Sequence, residues 1–216
     1  MTEAPKFTLI ETQRLEWPFR LRLPFRFGVI TVTHGRQAVI RARIRAEDGR
    51  EAWGVAAETL AAKWFDKDPA LSDAQNEHQL RRSLELAEVA TLSHGADTAF
   101  GHFANTYPAV TAAAGAERLN PLVASYGRAL LDRAMLDALL KLHGVSFWAG
   151  MKANIGGMAA HAIIPDLRDF DVATMLAAAA PLQRLHARHT VGLVDPITAA
   201  DQSERVADGL PETLEE

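Results

Sequence analysis

The sequence predicts an α+β protein: an antiparallel meander, then a layer of helices, then the opening of a β/α repeat. Three observations predict this. Apolar and charged residues alternate with period two in the first 60 positions. A cleanly bounded helical pattern runs from Asn120 to Gly144. A short apolar run, His189 to Leu193, precedes a Pro-started helical signal at Pro211. One β/α unit closes neither a sheet nor a barrel. The expectation is therefore the front part of a larger α/β protein.

Leu15, Trp17, Phe19, Leu21 and Leu23 alternate with Arg14, Glu16, Pro18, Arg20 and Arg22, which is a strand with one wet face. Pro18 places it at a sheet edge. Ala38, Ile40, Ala42, Ile44 and Ala46 alternate with Val39 and three arginines, giving a second half-buried strand. Glu47-Asp48-Gly49-Arg50 is a hairpin turn, with Asp-Gly supplying positive φ angles, and Glu51 to Ala56 returns as the third strand. Pro24 to Gly35 reads as the loop between the first two strands, although it is rich in Phe and Thr.

Leu80, Leu84, Ala87 and Val89 mark a helix within Asn76 to Leu92. Gly95 to Ala116, rich in Ala, Gly and Thr, reads as short helix mixed with loop. Asn120-Pro121 opens the clearest helix, with Asn as N-cap and Pro in the first turn, and Gly144 ends it. Ser146 to Asp171 is irregular. Val172 to His186 looks helical despite Pro181. His189 to Leu193 is expected as a buried strand, followed by a Thr198/Asp201 capping pair.

Composition narrows the function. The chain has 216 residues, 48% of them hydrophobic, and a net charge of −4. No Lys/Arg stripe is present to neutralise phosphates, so a nucleic-acid partner is not expected. The longest apolar stretch, Met175 to Leu182, is too short and too Pro-broken to span a bilayer, so no membrane is expected either. There is no cysteine, hence no disulfide framework and no thiolate nucleophile. The N-terminus lacks a basic n-region and an apolar core. A cytoplasmic location is the default expectation.

Rival constellations are weak. His186 and His189 have helical i,i+3 spacing, but no zincin glutamate accompanies them. His94 and His102 have no neighbouring acidic cluster in the sequence. Val123-Ala-Ser125-Tyr-Gly127 falls inside a helix and is not a nucleophile elbow. Asn154-Ile-Gly-Gly157 lacks both the Walker lysine and dinucleotide spacing.

Three segments in combination carry a family resemblance. They are Leu21-Arg-Leu-Pro-Phe-Arg-Phe-Gly28; Val39-Ile-Arg-Ala-Arg-Ile-Arg-Ala-Glu-Asp-Gly49 with Trp53-Gly54-Val-Ala-Ala-Glu58; and Arg128-Ala-Leu-Leu-Asp-Arg-Ala-Met-Leu-Asp-Ala-Leu-Leu-Lys-Leu-His-Gly144. Together they resemble the N-terminal part of the mandelate racemase and muconate-lactonizing branch of the enolase superfamily. The resemblance implies an α+β capping domain, three-stranded meander plus helices, over residues 1–150. It implies a connecting segment or insertion at 151–187, and at 188–216 the first β/α elements of an incomplete TIM-like barrel.

It also implies a Mg²⁺-dependent racemase, epimerase, dehydratase or cycloisomerase that removes the proton next to a carboxylate. Its partner would be a small-molecule carboxylate, and the parent enzyme would be a homo-oligomer. The family's Lys-x-Lys pair and its three acidic metal ligands lie on barrel strands beyond these residues. No catalytic or metal residue is therefore expected here, and the chain alone is expected to be inactive. What the resemblance leaves to this chain is the lid: Phe25, Phe27, Val29 and Ile30 from Pro24–Gly35, and Lys63, Trp64 and Phe65 from Ala56–Asp68. His34 at the base of the first segment and Asp195 on the expected barrel rim join them. Each has a plainer structural reading: the aromatics as core packing, Lys63 as a solvated lysine, Asp195 as a turn aspartate before Pro196. The alternative for the chain as a whole is a non-catalytic α+β module for binding or oligomerisation.

Overall fold

The computed structural model describes residues 3–28, 30–202 and 204–216. Its order is β1 (Phe7–Phe27), β2 (Ile30–Ala46), β3 (Glu51–Thr59), α1 (Asp73–Leu92), α2 (Ala99–Ala116), α3 (Pro121–His143), α4 (Phe147–Lys152) and α5 (Val172–Ala178). Single 3₁₀ turns occupy Ala160–Ala162, Pro165–Leu167 and Ala199–Asp201. The three strands form one antiparallel sheet in sequence order, which is the meander the alternation predicts. β1 is an edge strand, in keeping with Pro18.

The core lies between one face of this sheet and the helices. Phe7, Leu9, Ile40, Ala42 and Ile44 meet Leu80 and Leu84 of α1 and Leu130, Leu131, Ala134, Met135, Ala138 and Leu139 of α3. The elements approach closely at two glycines. A Cβ on Gly54 would lie 2.0 Å from the Ala134 carbonyl oxygen, and one on Gly127 would lie 2.3 Å from the Leu84 backbone. β3 therefore sits directly on α3, and α1 crosses α3 backbone to backbone.

The first strand departs from expectation in one informative way. Its register with β2 shifts between Leu9 and Glu11. The bulge exchanges the two faces. Before it, Phe7 and Leu9 point to the core; after it, Arg14 and Glu16 point to the helices and bond to Glu85 and Arg81 of α1. The alternating apolar set lies on the open face instead, with Leu15 40% and Trp17 53% exposed. Beside it on that face Arg41 stacks over Trp53, 4.6 Å from the ring centroid.

Pro24–Gly35 is not a loop. β1 and β2 continue through it, pairing Phe25 with Val32 and Phe27 with Ile30, as a two-stranded arm that turns at Gly28. The Phe and Thr residues that look odd for a loop are strand formers. The β2–β3 turn uses a positive φ only at Gly49 (86°); Asp48 does not share it. This fits a four-residue connection with a left-handed residue near its end.

Among the helices, α1 has a full capping box from Ser72 and Gln75, and α3 has the expected Asn120 N-cap and the left-handed Gly144 C-cap. Within Gly95–Ala116, where a mixture of helix and loop is expected, α2 is one continuous helix from Ala99 to Ala116. Its low-propensity Gly, Thr and Pro108 are overridden by packing: His102, Thr106, Val110 and Ala114 recur every four residues and are all buried.

The C-terminal expectations fare differently. The helix of 172–186 stops at Ala178, three residues before Pro181. His189–Leu193 forms no strand, and no helix follows Pro211. A strand buried on both faces needs paired neighbours to satisfy its backbone, and among the described residues a single backbone bond to another strand, from the Leu193 amide to the Arg26 carbonyl, reaches this one. Val191 and Leu193 remain 52% and 73% exposed. The Thr198/Asp201 capping box does form, on the last 3₁₀ turn. None of the described helices is long and apolar enough to cross a membrane.

Candidate functional site

The two segments assigned to a lid converge. The Phe27 ring at the arm's tip meets the Trp64 ring edge-on, with centroids 5.5 Å apart, and Phe25 tilts against Phe27 at 5.9 Å. Trp64 keeps 56% of its surface exposed, so the pair forms an apolar crest and not a core contact. Phe65 turns the other way, edge-on to Tyr126 at 5.2 Å, and packs against the core. Ile30 is half-buried and opens β2. Val29 lies outside the described residues.

Lys63 has a left-handed backbone (φ 62°). Its Nζ donates to the Asp68 carbonyl at 3.0 Å and to the Leu71 carbonyl, which fastens its own loop. His34 is exposed, its Nδ1 2.9 Å from the Thr33 hydroxyl. Asp195 accepts a hydrogen bond from the Gly192 amide at 2.6 Å, the turn role. It also borders a cleft of about 720 Å³ between the arm and the C-terminal segment, lined among others by Arg22, Phe25, His189, Gln202 and Leu214. The structure thus brings Phe25 and Asp195 to one cleft, joins Phe27 to Trp64, and leaves Lys63 and His34 out of it.

Several residues were not legible as partners. Arg22 donates from Nε and Nη2 to both Asp208 oxygens at 2.7 and 2.6 Å, and from Nη1 and Nη2 to the Pro211 and Leu210 carbonyls. Glu16 accepts from Arg81 and Arg36, which hold its carboxyl down to about 2. Such pairs join residues far apart in sequence, and only their alternation with apolar residues signals them.

Two titratable groups sit inside the helical layer. Burial pushes the Asp132 carboxyl up to about 7, against the pull of Arg128 one turn earlier. Arg128 itself is buried, donates to Thr106 Oγ1 at 2.9 Å and lies over the Phe103 ring. His102, expected in a loop, is a core residue of α2. Its Nε2 lies 2.8 Å from the Phe7 carbonyl, which only accepts, so Nε2 carries the hydrogen and the buried Nδ1 is left without a partner. Burial lowers its affinity for a second proton. His94 does have an acidic neighbour in space: its Nε2 is 2.9 Å from Asp97.

Among the described residues no three His, Cys, Asp or Glu side chains are grouped so as to hold a metal ion.

No family model matches the sequence, and no curated protein does. Solved structures resemble it in part. A mandelate racemase/muconate lactonizing-type protein from Sorangium cellulosum is 20% identical, with a TM-score of 0.34 over 68% of this chain and 34% of that one. The L-Ala-D/L-Glu epimerase of Bacillus subtilis, in a substrate complex, is 22% identical, with a TM-score of 0.22 over 37% of this chain and 20% of its own. The chain spans about a third of the first and a fifth of the second.

Proposed function

We propose that these residues are the capping portion of an enolase-superfamily enzyme, a racemase, epimerase, dehydratase or cycloisomerase acting on a small carboxylate. The observation that carries the reading is the Phe27–Trp64 crest, where two segments distant in sequence meet as a lid requires. Exposed Val191 and Leu193 support it, since apolar side chains of this kind call for a cover. In this reading the crest excludes water and shapes the pocket, which strengthens electrostatics at the reacting carbon. The magnesium that would stabilise the enediolate would, in this reading, be held by residues outside 1–216, and no chemical step is assigned to these residues.

The test has two parts. The reading frame downstream of codon 216 is expected to continue into a Lys-x-Lys strand within about 20 residues, close to one β/α spacing. The protein from that frame, with Mg²⁺ and a panel of hydroxy acids and dipeptides, is expected to exchange the α-proton with deuterium from solvent, read by NMR. A native stop with no such strand, or no exchange on any substrate, defeats the reading.

A second reading, a non-catalytic binding or oligomerisation module, is favoured by one observation: the core cluster is complete within Phe7–Leu139. It predicts a monodisperse protein that melts cooperatively and does not respond to Mg²⁺.

A further inference from the structure

The arm is hinged. Its ladder runs from Glu11 to Arg20 and then skips: Arg20 pairs with His34 and Phe25 with Val32, so residues 21–24 lie opposite Thr33 alone. Beyond the break only three pairs hold the tip, from Phe25 with Val32 to Phe27 with Ile30. A bulge of this size removes ladder bonds, Pro24 offers no N–H, and so short a ribbon is marginal by itself in water.

Arg22 lies within that bulge and is its most heavily bonded side chain. Its guanidinium reaches both Asp208 oxygens at 2.7 and 2.6 Å, the Pro211 carbonyl at 2.9 Å and the Leu210 carbonyl at 3.0 Å. The receiving turn is braced from behind. Glu212, only 3% exposed, accepts from the Val206 and Ala207 amides and from Gln202 Nε2. Asp208 also accepts from the Leu210 amide. The turn thus has bonds of its own that do not involve Arg22, and a planar fork is the group that fits its carboxylate and carbonyls together. One further tie is present, from the Leu193 amide to the Arg26 carbonyl at 3.2 Å.

We propose that Arg22 is a latch: it holds the tip of the arm, hinged at residues 21–24, against the turn at 206–212, and its release opens the cleft between them. The tip carries Phe25 and Phe27, so the latch sets the position of the aromatic crest. This stands on the arm's geometry alone and survives if the carboxylate reading fails.

Hydrogen exchange on the whole 216-residue protein, read by mass spectrometry, tests it with R22Q, D208N and R22Q/D208N. Losing a charged, bidentate contact is expected to speed exchange of the tip amides (residues 25–27 and 30–33) about tenfold, with α3 unchanged. R22Q removes the Asp208 bonds together with those to the Pro211 and Leu210 carbonyls, so the double variant is expected to match R22Q, with D208N rising no further than R22Q. Tip exchange equal to the wild type in both single variants overturns the latch. So does an additive double variant, or an equal rise across α3, which would mark general loosening.

Discussion

Asp132 and His102 titrate in opposite senses. The folded Asp132 carboxyl is raised to about 7, so its neutral form is favoured in the fold. Its contribution is complete below the ordinary carboxylate range and is lost as pH rises through 7. Asp132→Asn is therefore expected to raise the melting temperature at pH 8, with the gain shrinking toward pH 4. His102 runs the other way. Its folded value is depressed, so its contribution is complete above about 6.5 and falls as pH drops below that. The difference between wild type and His102→Gln, followed by thermal melts from pH 8 to 5, should isolate that loss. Neither behaviour was legible in the chain. His102 looks like a loop histidine until α2 forms, and Asp132 looks like an ordinary wet-side residue of α3. Burial created by neighbouring helices is what changes both.

At the scale of elements, local chemistry reads well and long-range geometry does not. Asn120-Pro121 and Gly144 fix the ends of α3 because a cap is a contact between near neighbours. Asn120→Ala is expected to cost about 1 kcal/mol in denaturant unfolding. The alternation of β1 is equally visible, but its facing is not. One extra residue near Ile10 turns Arg14 and Glu16 toward α1, and no pattern in the sequence announces a bulge. The arm's aromatic residues were legible as candidates; that Phe27 and Trp64 touch was not. Glu16→Gln is expected to loosen β1 from α1 by about 1 kcal/mol, since its ion pairs are partly wet. That loss should shrink below the ordinary carboxylate value of 4.5 and vanish as pH falls through about 2, where the wild-type carboxyl takes up its proton. At Gly54 and Gly127 the sheet and helices leave no room for a methyl group. Alanine at either is expected to cost about 1–3 kcal/mol or more by the same unfolding measurement.

The whole molecule divides by how its apolar surface is used. The meander and α1–α3 bury theirs together, whereas Leu182, Leu185 and Leu193 stay 76%, 83% and 73% exposed. An environment-sensitive dye is expected to bind the native protein, and removal of residues 160–216 should abolish most of that signal while a cooperative melt remains. Loss of the melt would show that the N-terminal core depends on the tail. The sheet's own termination has a separate consequence. The outward amide of Val55 on β3 is taken by Asp137 of α3 at 2.8 Å, and Lys141 pins that carboxylate at 2.6 Å. A foreign strand arriving at this border would find its docking point already filled. Asp137→Ala would leave that one amide open to an incoming strand.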